Sequence, residues 1–414
     1  MPRVKLQTHS YALVLVSACL LLVLSSGYRA GFGLFMMPLS EARAWGRDVF
    51  GLALAVQNLS WGVCAILAGA MADKYGTLKV LLGGVVIYAV GMVCMSVSST
   101  EAQIISTAGL LVGAGIAGTS FGIVLPAIVR AVPEEKRAWA LGIGTAAGSF
   151  GQFLVVPAIA SVVELFGWMH SLQYLGLSAF LMALFCIPMS KFGGANETAQ
   201  GDTEAFISLK DVALKACSIK SYRLLLFGFS VCGFHVAFIT VHMPGYVVDL
   251  GFHPQIGAWS ISLIGLCNVL GAYYAGVLSG TNSMRALLTA IYLGRVVVIT
   301  LFLALPISVL SIMIFSAGMG FLWLATVPPT SGLIALFFGT RYMSFLYGIV
   351  FLSHQVGSFA GVWLGGWLYE QYGSYNGIWY FGIFLGIVAA LLHWPIAEKD
   401  YSECLVCTVR TLQD

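Results

Sequence analysis

Charge is scarce in this sequence. Lys, Arg, Asp and Glu together make 9% of its 414 residues, against about a quarter in a soluble globular domain. Length alone would allow two or three soluble domains. With 59% hydrophobic residues and a mean hydropathy of +0.92, no water-covered particle of this size could hide the apolar surface. The basic excess is small too, a net +3, with no footprint for nucleic acid. No glycine-rich phosphate loop and no catalytic constellation of nucleophile and base occurs, so the chain does not read as an enzyme, and energy for any work must come from a gradient. No cofactor and no metal is expected. The nine cysteines are mostly scattered singly through apolar segments, where a thiol acts as a small apolar residue. Cys404 and Cys407 form a lone CxxC, read as reduced thiols.

What the sequence has in abundance is apolar runs near the 20 residues or so that a membrane helix needs. Twelve can be delimited: 11–38, 49–72, 78–98, 103–130, 138–163, 169–190, 223–248, 256–279, 286–305, 308–336, 343–369 and 375–396. The start, MPRVKLQTHS before an apolar run, could imitate a secretion signal, but the run is too long and lacks a small-residue cleavage site. Alternating the spans with the N-terminus inside places sixteen of the twenty Lys and Arg residues on the cytoplasmic side and only Arg43 and Arg47 outside, with Arg29 and Arg295 inside spans. Basic loops stay cytoplasmic, so both termini are expected there, and the sequon at Asn196 is expected unglycosylated.

The expected fold is an all-α membrane protein of twelve transmembrane helices in two pseudo-symmetric six-helix bundles. Residues 1–190 form the first half, 191–222 a cytoplasmic linker, 223–396 the second half and 397–414 a cytoplasmic tail. The linker begins flexible, rich in Gly, Asn, Thr and acids. From about Thr203 it carries Phe206, Ile207, Val212, Ala213 and Ala216 near helical spacing, which suggests a short helix along the membrane face.

After the second span stands Gly69-Ala-Met-Ala-Asp73-Lys74-Tyr75-Gly76-Thr-Leu-Lys79. It resembles the G-x-x-x-D-x-x-G-x-x-K/R signature of the major facilitator superfamily. Degraded echoes follow at three-span intervals, as Glu164-Leu-Phe-Gly167 and Gly366-Trp-Leu-Tyr-Glu370-Gln-Tyr-Gly373. After span eight Gly276 is kept, but Gly280 stands where the acid would be. The start of span five, from Glu135 to Gly151 with Arg137, Ala140, Gly142 and Ala146, is similar to the corresponding helix of monocarboxylate transporters and oxalate/formate antiporters. Small residues there let two helices approach closely. The resemblance implies alternating access by two halves, with Gly69, Asp73, Gly76, Lys79 and Arg137 in gating. Three departures leave the substrate open: the acid that opens the first helix, the arginine of the eighth and the lysine of the eleventh are all missing.

Arg29 and Arg295 are the intramembrane cations. Each costs roughly 2.5 to 3.5 kcal/mol at the bilayer centre on insertion scales, and all seventeen acids can be placed in loops or at helix ends. A guanidinium facing a water-filled cavity is a ready receptor for a carboxylate. The alternatives are snorkelling for Arg29 and bonding to backbone carbonyls for Arg295. Polar residues that could share the site are Gln57, Asn58 and Trp61, His235 and His242, Thr326 and Thr330, and Tyr347 and His354. Without an intramembrane acid, proton coupling would run through a histidine or the substrate carboxylate; anion exchange needs neither. The expectation is therefore a secondary transporter of a small organic anion, a monocarboxylate foremost, working as a monomer in a bacterial inner membrane, with protons as a second cargo. Efflux of amphipathic compounds is the first alternative, though the glycine and proline pattern of drug/proton antiporters is absent from span five. A non-transporting membrane sensor is the second.

Overall fold

The computed structural model describes residues 2–133, 137–192, 209–339 and 343–402, and these are almost wholly helical with no strand among them. Asn196, Cys404 and Cys407 lie outside the described residues, as do the side chains of Asp73 and Arg137. Helix is the form a long apolar run takes in lipid, because each backbone N–H and C=O then finds its partner within the segment.

The first pass is α1 (Pro2–Gly31), a 3-10 turn (Phe32–Phe35) and α2 (Met36–Arg43). The second is α3 (Arg47–Tyr75), which passes directly into the third, α4 (Thr77–Val97). The turn between them needs Gly76, whose φ of 92° and ψ of 146° a side chain would disfavour. The fourth pass is segmented: α5 (Glu101–Ile104), a π-helical stretch (Ile105–Leu111), α6 (Val112–Thr119) and α7 (Phe121–Ala131), with extended backbone at Ser120 between the last two. Passes five and six share one long element, α8 (Arg137–Ala179), broken at Gly167 where φ is 74°. It continues through α9 (Met182–Cys186) and a 3-10 turn (Ile187–Phe192). Within the expected linker stands α10 (Leu209–Ser218), with Val212 and Ala216 buried.

Passes seven to nine are α11 (Lys220–Asp249), α12 (Pro254–Thr281) and α13 (Met284–Ala304). The tenth is interrupted: α14 (Val309–Phe321) and α15 (Val327–Phe338) are separated by a non-helical stretch, and Pro328 and Pro329 sit at the start of α15, where missing N–H groups cost little. The chain ends with α16 (Met343–Tyr372) and α17 (Asn376–His393). Ten segments are long and apolar enough to cross a membrane. One of them, Gly142–Met189, holds two passes, and the two shorter helices of pass ten make one more, which accounts for twelve.

Most buried apolar side chains form two clusters. One is built almost wholly from α1 to α9, the other mainly from α10 to α17. The halves meet chiefly along α3 with α16 and α8 with α12. At one end these pairs touch backbone to backbone: a Cβ on Gly366 would lie 2.9 Å from the Arg47 carbonyl oxygen. Midway, a Cβ on Gly62 would stand 3.1 Å from Gln355. Beyond that the pairs diverge, because Gly69 and Gly348 have no neighbour within 4 Å of a Cβ position, and neither do Gly142 and Gly276. The α3–α16 seam is thus closed at the end that holds Arg47, where a cavity of about 380 Å³ remains between α2 and α8 on one side and α11 and α12 on the other, and splayed at the end that holds Gly76.

Candidate functional site

Arg29 is placed by glycines. α1 lies against α8 because Gly27 and Gly151 have no side chains; a Cβ on Gly151 would fall 2.2 Å from the Val23 carbonyl oxygen. Just beyond Arg29 the 3-10 turn brings Gly33 against α11, where a Cβ would meet the Thr240 carbonyl oxygen at 2.5 Å. Arg29 is thereby held between the halves. It lines a small cavity, of about 10 Å³ in this conformation, together with Phe32, Leu54, Gln57 and Asn58 from the first half and Ala237, Thr240 and Val241 from the second.

The guanidinium lies over the Trp61 ring, 4.6 Å from its centroid. Among the described residues no carboxylate comes within 4.0 Å of it and none accepts a hydrogen bond from it. Gln57 donates from Nε2 to the Ala108 carbonyl at 2.8 Å, and Asn58 from Nδ2 to the Leu54 carbonyl at 2.8 Å. The site is a cation with an aromatic neighbour, two amides and no counter-charge. That arrangement offers an anion paired donors from a guanidinium, and the cavity has to widen from its present volume, about that of one water, to admit it.

Of the residues picked from sequence, Arg29, Gln57, Asn58 and Trp61 come together here, and the others do not. Arg295 on α13 is fully buried. It donates from Nε to the Leu322 carbonyl at 3.2 Å and from NH2 to the Leu322 and Trp323 carbonyls, at the break between α14 and α15. The segmented tenth pass leaves those carbonyls without helical partners, and Arg295 supplies donors; it does not line the Arg29 cavity. His235 also turns away, with Nε2 2.8 Å from the Gly382 carbonyl of α17. His242 stands between the Tyr375 hydroxyl at 3.1 Å and the Val362 carbonyl at 2.8 Å. Tyr347 on α16 packs against the core of the second half. His354, one helical face further along, stacks on Phe351 at 5.8 Å, and Phe351 meets Trp61 edge-on at 5.2 Å. His354 is therefore joined to the Arg29 site through two aromatic rings.

Of the gating candidates, Gly69 borders open space, Gly76 makes the α3 to α4 turn and Lys79 is exposed. Arg130 at the end of α7 donates from NH2 to the Thr77 hydroxyl at 2.9 Å, which fixes that turn.

A further cluster at the sealed end has no counterpart in the sequence reading. Arg47 grips Asp249 with both terminal nitrogens, at 2.5 and 2.6 Å, and NH1 also reaches the Tyr375 hydroxyl at 3.2 Å. Its guanidinium lies over the Tyr369 ring at 3.8 Å, and its backbone N–H donates to Glu370 at 2.6 Å. Glu164, the pseudo-equivalent of Glu370 in the repeated signature, accepts from Gln255 at 3.3 Å. Both signature acids thus bridge to the opposite half. Their partners are at least 91 residues away, too far for any local spacing to reveal.

Residues 18–359 match the family model described as Major Facilitator Superfamily. The chain is 22% identical over 379 residues to monocarboxylate transporter 12-B of Danio rerio, covering 82% of this chain and 77% of that one. It is 23% identical over 344 residues to monocarboxylate transporter 12 of Xenopus laevis, covering 76% and 73%. Among solved structures it is similar to a bacterial homolog of the human lysosomal transporter Spinster in an inward-facing and unoccupied conformation, with a TM-score of 0.72 at 13% identity and 98% of each chain covered.

Proposed function

The chain belongs to the major facilitator superfamily, and from that premise we propose that it is a secondary transporter of a small organic anion, foremost a monocarboxylate, in a bacterial inner membrane with both termini cytoplasmic. The observation that carries this reading is the guanidinium of Arg29, without an acid partner among the described residues and facing a cavity shared by the two halves. In lipid such a charge is retained where it works or is paired. Two relatives carry the name monocarboxylate transporter, which agrees with an anionic cargo.

The two six-helix halves, 1–190 and 223–396, rock about the α3 with α16 and α8 with α12 seams. With both termini cytoplasmic, the Arg47 end is the outer side, where α3 and α16 are closely packed, and the splayed Gly76 end is the cytoplasmic side. Arg29 binds the carboxylate, Gln57 and Asn58 orient it, and Thr240 closes on it from the other half. Gly69, Asp73, Gly76, Lys79 and Arg137 serve the opposing cytoplasmic closure. The test is uptake of labelled small carboxylates into proteoliposomes by a monomeric preparation, under a pH gradient and in exchange mode. Saturable uptake of an anion in either mode supports the reading. Uptake of neutral or cationic amphiphiles in its place would overturn it.

A further inference from the structure

His242 is fully buried in the closure at the Arg47 end, and the hydrogens around it can all be assigned. Its Nε2 lies 2.8 Å from the Val362 carbonyl oxygen, which can only accept, so Nε2 carries a hydrogen. Arg47 NH1 can only donate, and it does so to the Tyr375 oxygen at 3.2 Å. The one hydrogen of that hydroxyl is then left for His242 Nδ1, 3.1 Å away, which must be bare to accept it. The imidazole is thus neutral, with both nitrogens committed. It has no room to turn: a Cβ on Gly365 of α16 would lie 2.7 Å from one edge of the ring, and the Gly51 Cβ position of α3 is 3.8 Å from the other.

We propose that His242 is a proton-binding site open to the outer side, at which the proton and the Arg47 guanidinium exclude one another. The inference rests on the alternating-access reading above, in which Arg47 departs with α3 when the outer end opens. His242, Asp249 and Tyr375 stay together on the second half. In the sealed state a proton on Nδ1 would meet the Tyr375 hydrogen head-on, and it would set a second cation against an oxygen that already faces Arg47. Once Arg47 has left, Asp249 has lost its ion-pair partner, and the Tyr375 oxygen can accept from His242 while its own hydrogen turns to water. The step is one proton transfer from outer water to the bare Nδ1. Sealing reverses it: the Nδ1–H bond breaks, the proton returns to outer water, and Arg47 resumes its place as the counter-charge of Asp249.

The charged and titratable groups in and around this cluster are Asp249 and Tyr246 on α11, Arg47 and Asp48 on α3, Tyr369 and Glu370 on α16, and Tyr375 ahead of α17. None of these types changes charge between pH about 5.5 and about 7.5 in its ordinary form, whereas an imidazole does. The open state binds one proton more than the sealed state, so the opening equilibrium rises as pH falls, by at most about tenfold per unit. For an imidazole titrating near its ordinary pH of about 6.5 in the open state, the rise from pH about 7.5 to about 5.5 is about tenfold.

Hydrogen–deuterium exchange of the full-length protein tests this without any substrate. Each variant is compared with wild type at the same pH, so the intrinsic pH dependence of exchange cancels. His242→Gln keeps one donor and one acceptor but does not titrate. In peptides spanning 366–376, the ratio of wild-type to His242→Gln exchange should rise about tenfold from pH about 7.5 to about 5.5. His253→Gln, which removes an exposed histidine at the start of α12, should follow wild type at each pH. Arg47→Ala, with the competing cation gone, should open to an extent that no longer depends on pH, and it decides the matter if His242→Gln does not fold. A wild-type to His242→Gln ratio that stays constant with pH, or an Arg47→Ala protein that keeps the full wild-type response, overturns the proposal. If the pH response is present in a protein that moves no anion, the substrate reading fails and the proton site stands.

Discussion

Arg47 is the residue whose removal should shift the conformational equilibrium most. It joins the halves at the sealed end through a forked pair of bonds to Asp249 at 2.5 and 2.6 Å, a bond to Tyr375 at 3.2 Å and the face of Tyr369 at 3.8 Å. Its side chain is 8% exposed and that of Asp249 25%. Stripping one partner from a fully buried ion pair costs about 3 to 5 kcal/mol. Asp249 keeps some access to water, so about 2 to 3 kcal/mol is a fair figure for Arg47→Ala. In the opposite conformation both groups would be solvated, so nearly all of that difference falls on the sealed state. It corresponds to a roughly 30- to 150-fold change in the equilibrium between sealed and open outer ends.

Hydrogen–deuterium exchange reads this directly, because amides that exchange only on opening do so in proportion to the opening equilibrium. In Arg47→Ala, peptides spanning 44–52 and 366–376 should exchange faster by about that factor, and peptides spanning 66–76 and 343–350 more slowly. Arg47→Lys, which keeps the charge but loses the fork, should fall between. Exchange at the sealed end within about threefold of wild type in Arg47→Ala would refute the assignment of this cluster as the closure.

Arg295→Ala strips the donors from the Leu322 and Trp323 carbonyls at the break in pass ten. It should cost about 3 kcal/mol or more, seen as a lowered melting temperature in detergent; an unchanged melting temperature would contradict the structural role. Gly33→Val would drive a side chain into the Thr240 and Val241 carbonyl oxygens, 2.5 and 2.7 Å from the Cβ position. It should therefore disfavour the sealed state and slow transport while the protein still purifies as a folded monomer, and wild-type turnover would show that this contact is not a closure. Gln57→Leu removes an amide from the cavity and leaves the Ala108 carbonyl without its donor. Loss of one amide-to-substrate bond at about 1 to 2 kcal/mol should weaken substrate affinity by roughly 5- to 30-fold in a binding titration, and an unchanged affinity would show that Gln57 does not contact the substrate.

Much of the fold was legible because lipid simplifies the problem. Each pass had to be a long apolar run, and the twelve runs correspond to the twelve passes in the structure, even where α8 carries two of them across Gly167. The interruption between α14 and α15 was harder to see. Its residues are as apolar as the helices beside it, and only Pro328 and Pro329 hint that the helix restarts there. That break decides the surroundings of Arg295, whose acceptors lie 27 and 28 residues further along the chain.

Arg29, Gln57 and Asn58 stood out as candidates because polar groups in an apolar run are conspicuous, and the structure brings all three to one cavity. The pairing of Arg47 with Asp249 and Glu370 was not legible, since its members are separated by 202 and 323 residues and each looks like an ordinary loop charge. The signature echoes pointed to Glu164 and Glu370 as former latch acids. Their contacts across the halves follow from pseudo-symmetry, which carries the motif to the opposite end of the bundle in the second and fourth units.

The anion site is tested most directly by equilibrium binding and exchange of labelled small carboxylates with wild type, Arg29→Gln and Arg29→Lys in proteoliposomes, each shown to be folded by its melting temperature. Loss of a charge-assisted contact worth about 1.5 to 3 kcal/mol should weaken binding of the best anion by roughly 10- to 150-fold in Arg29→Gln, with Arg29→Lys recovering part of it. An Arg29→Gln protein that binds and exchanges the same anion as wild type does would contradict the assignment of Arg29 as the receptor.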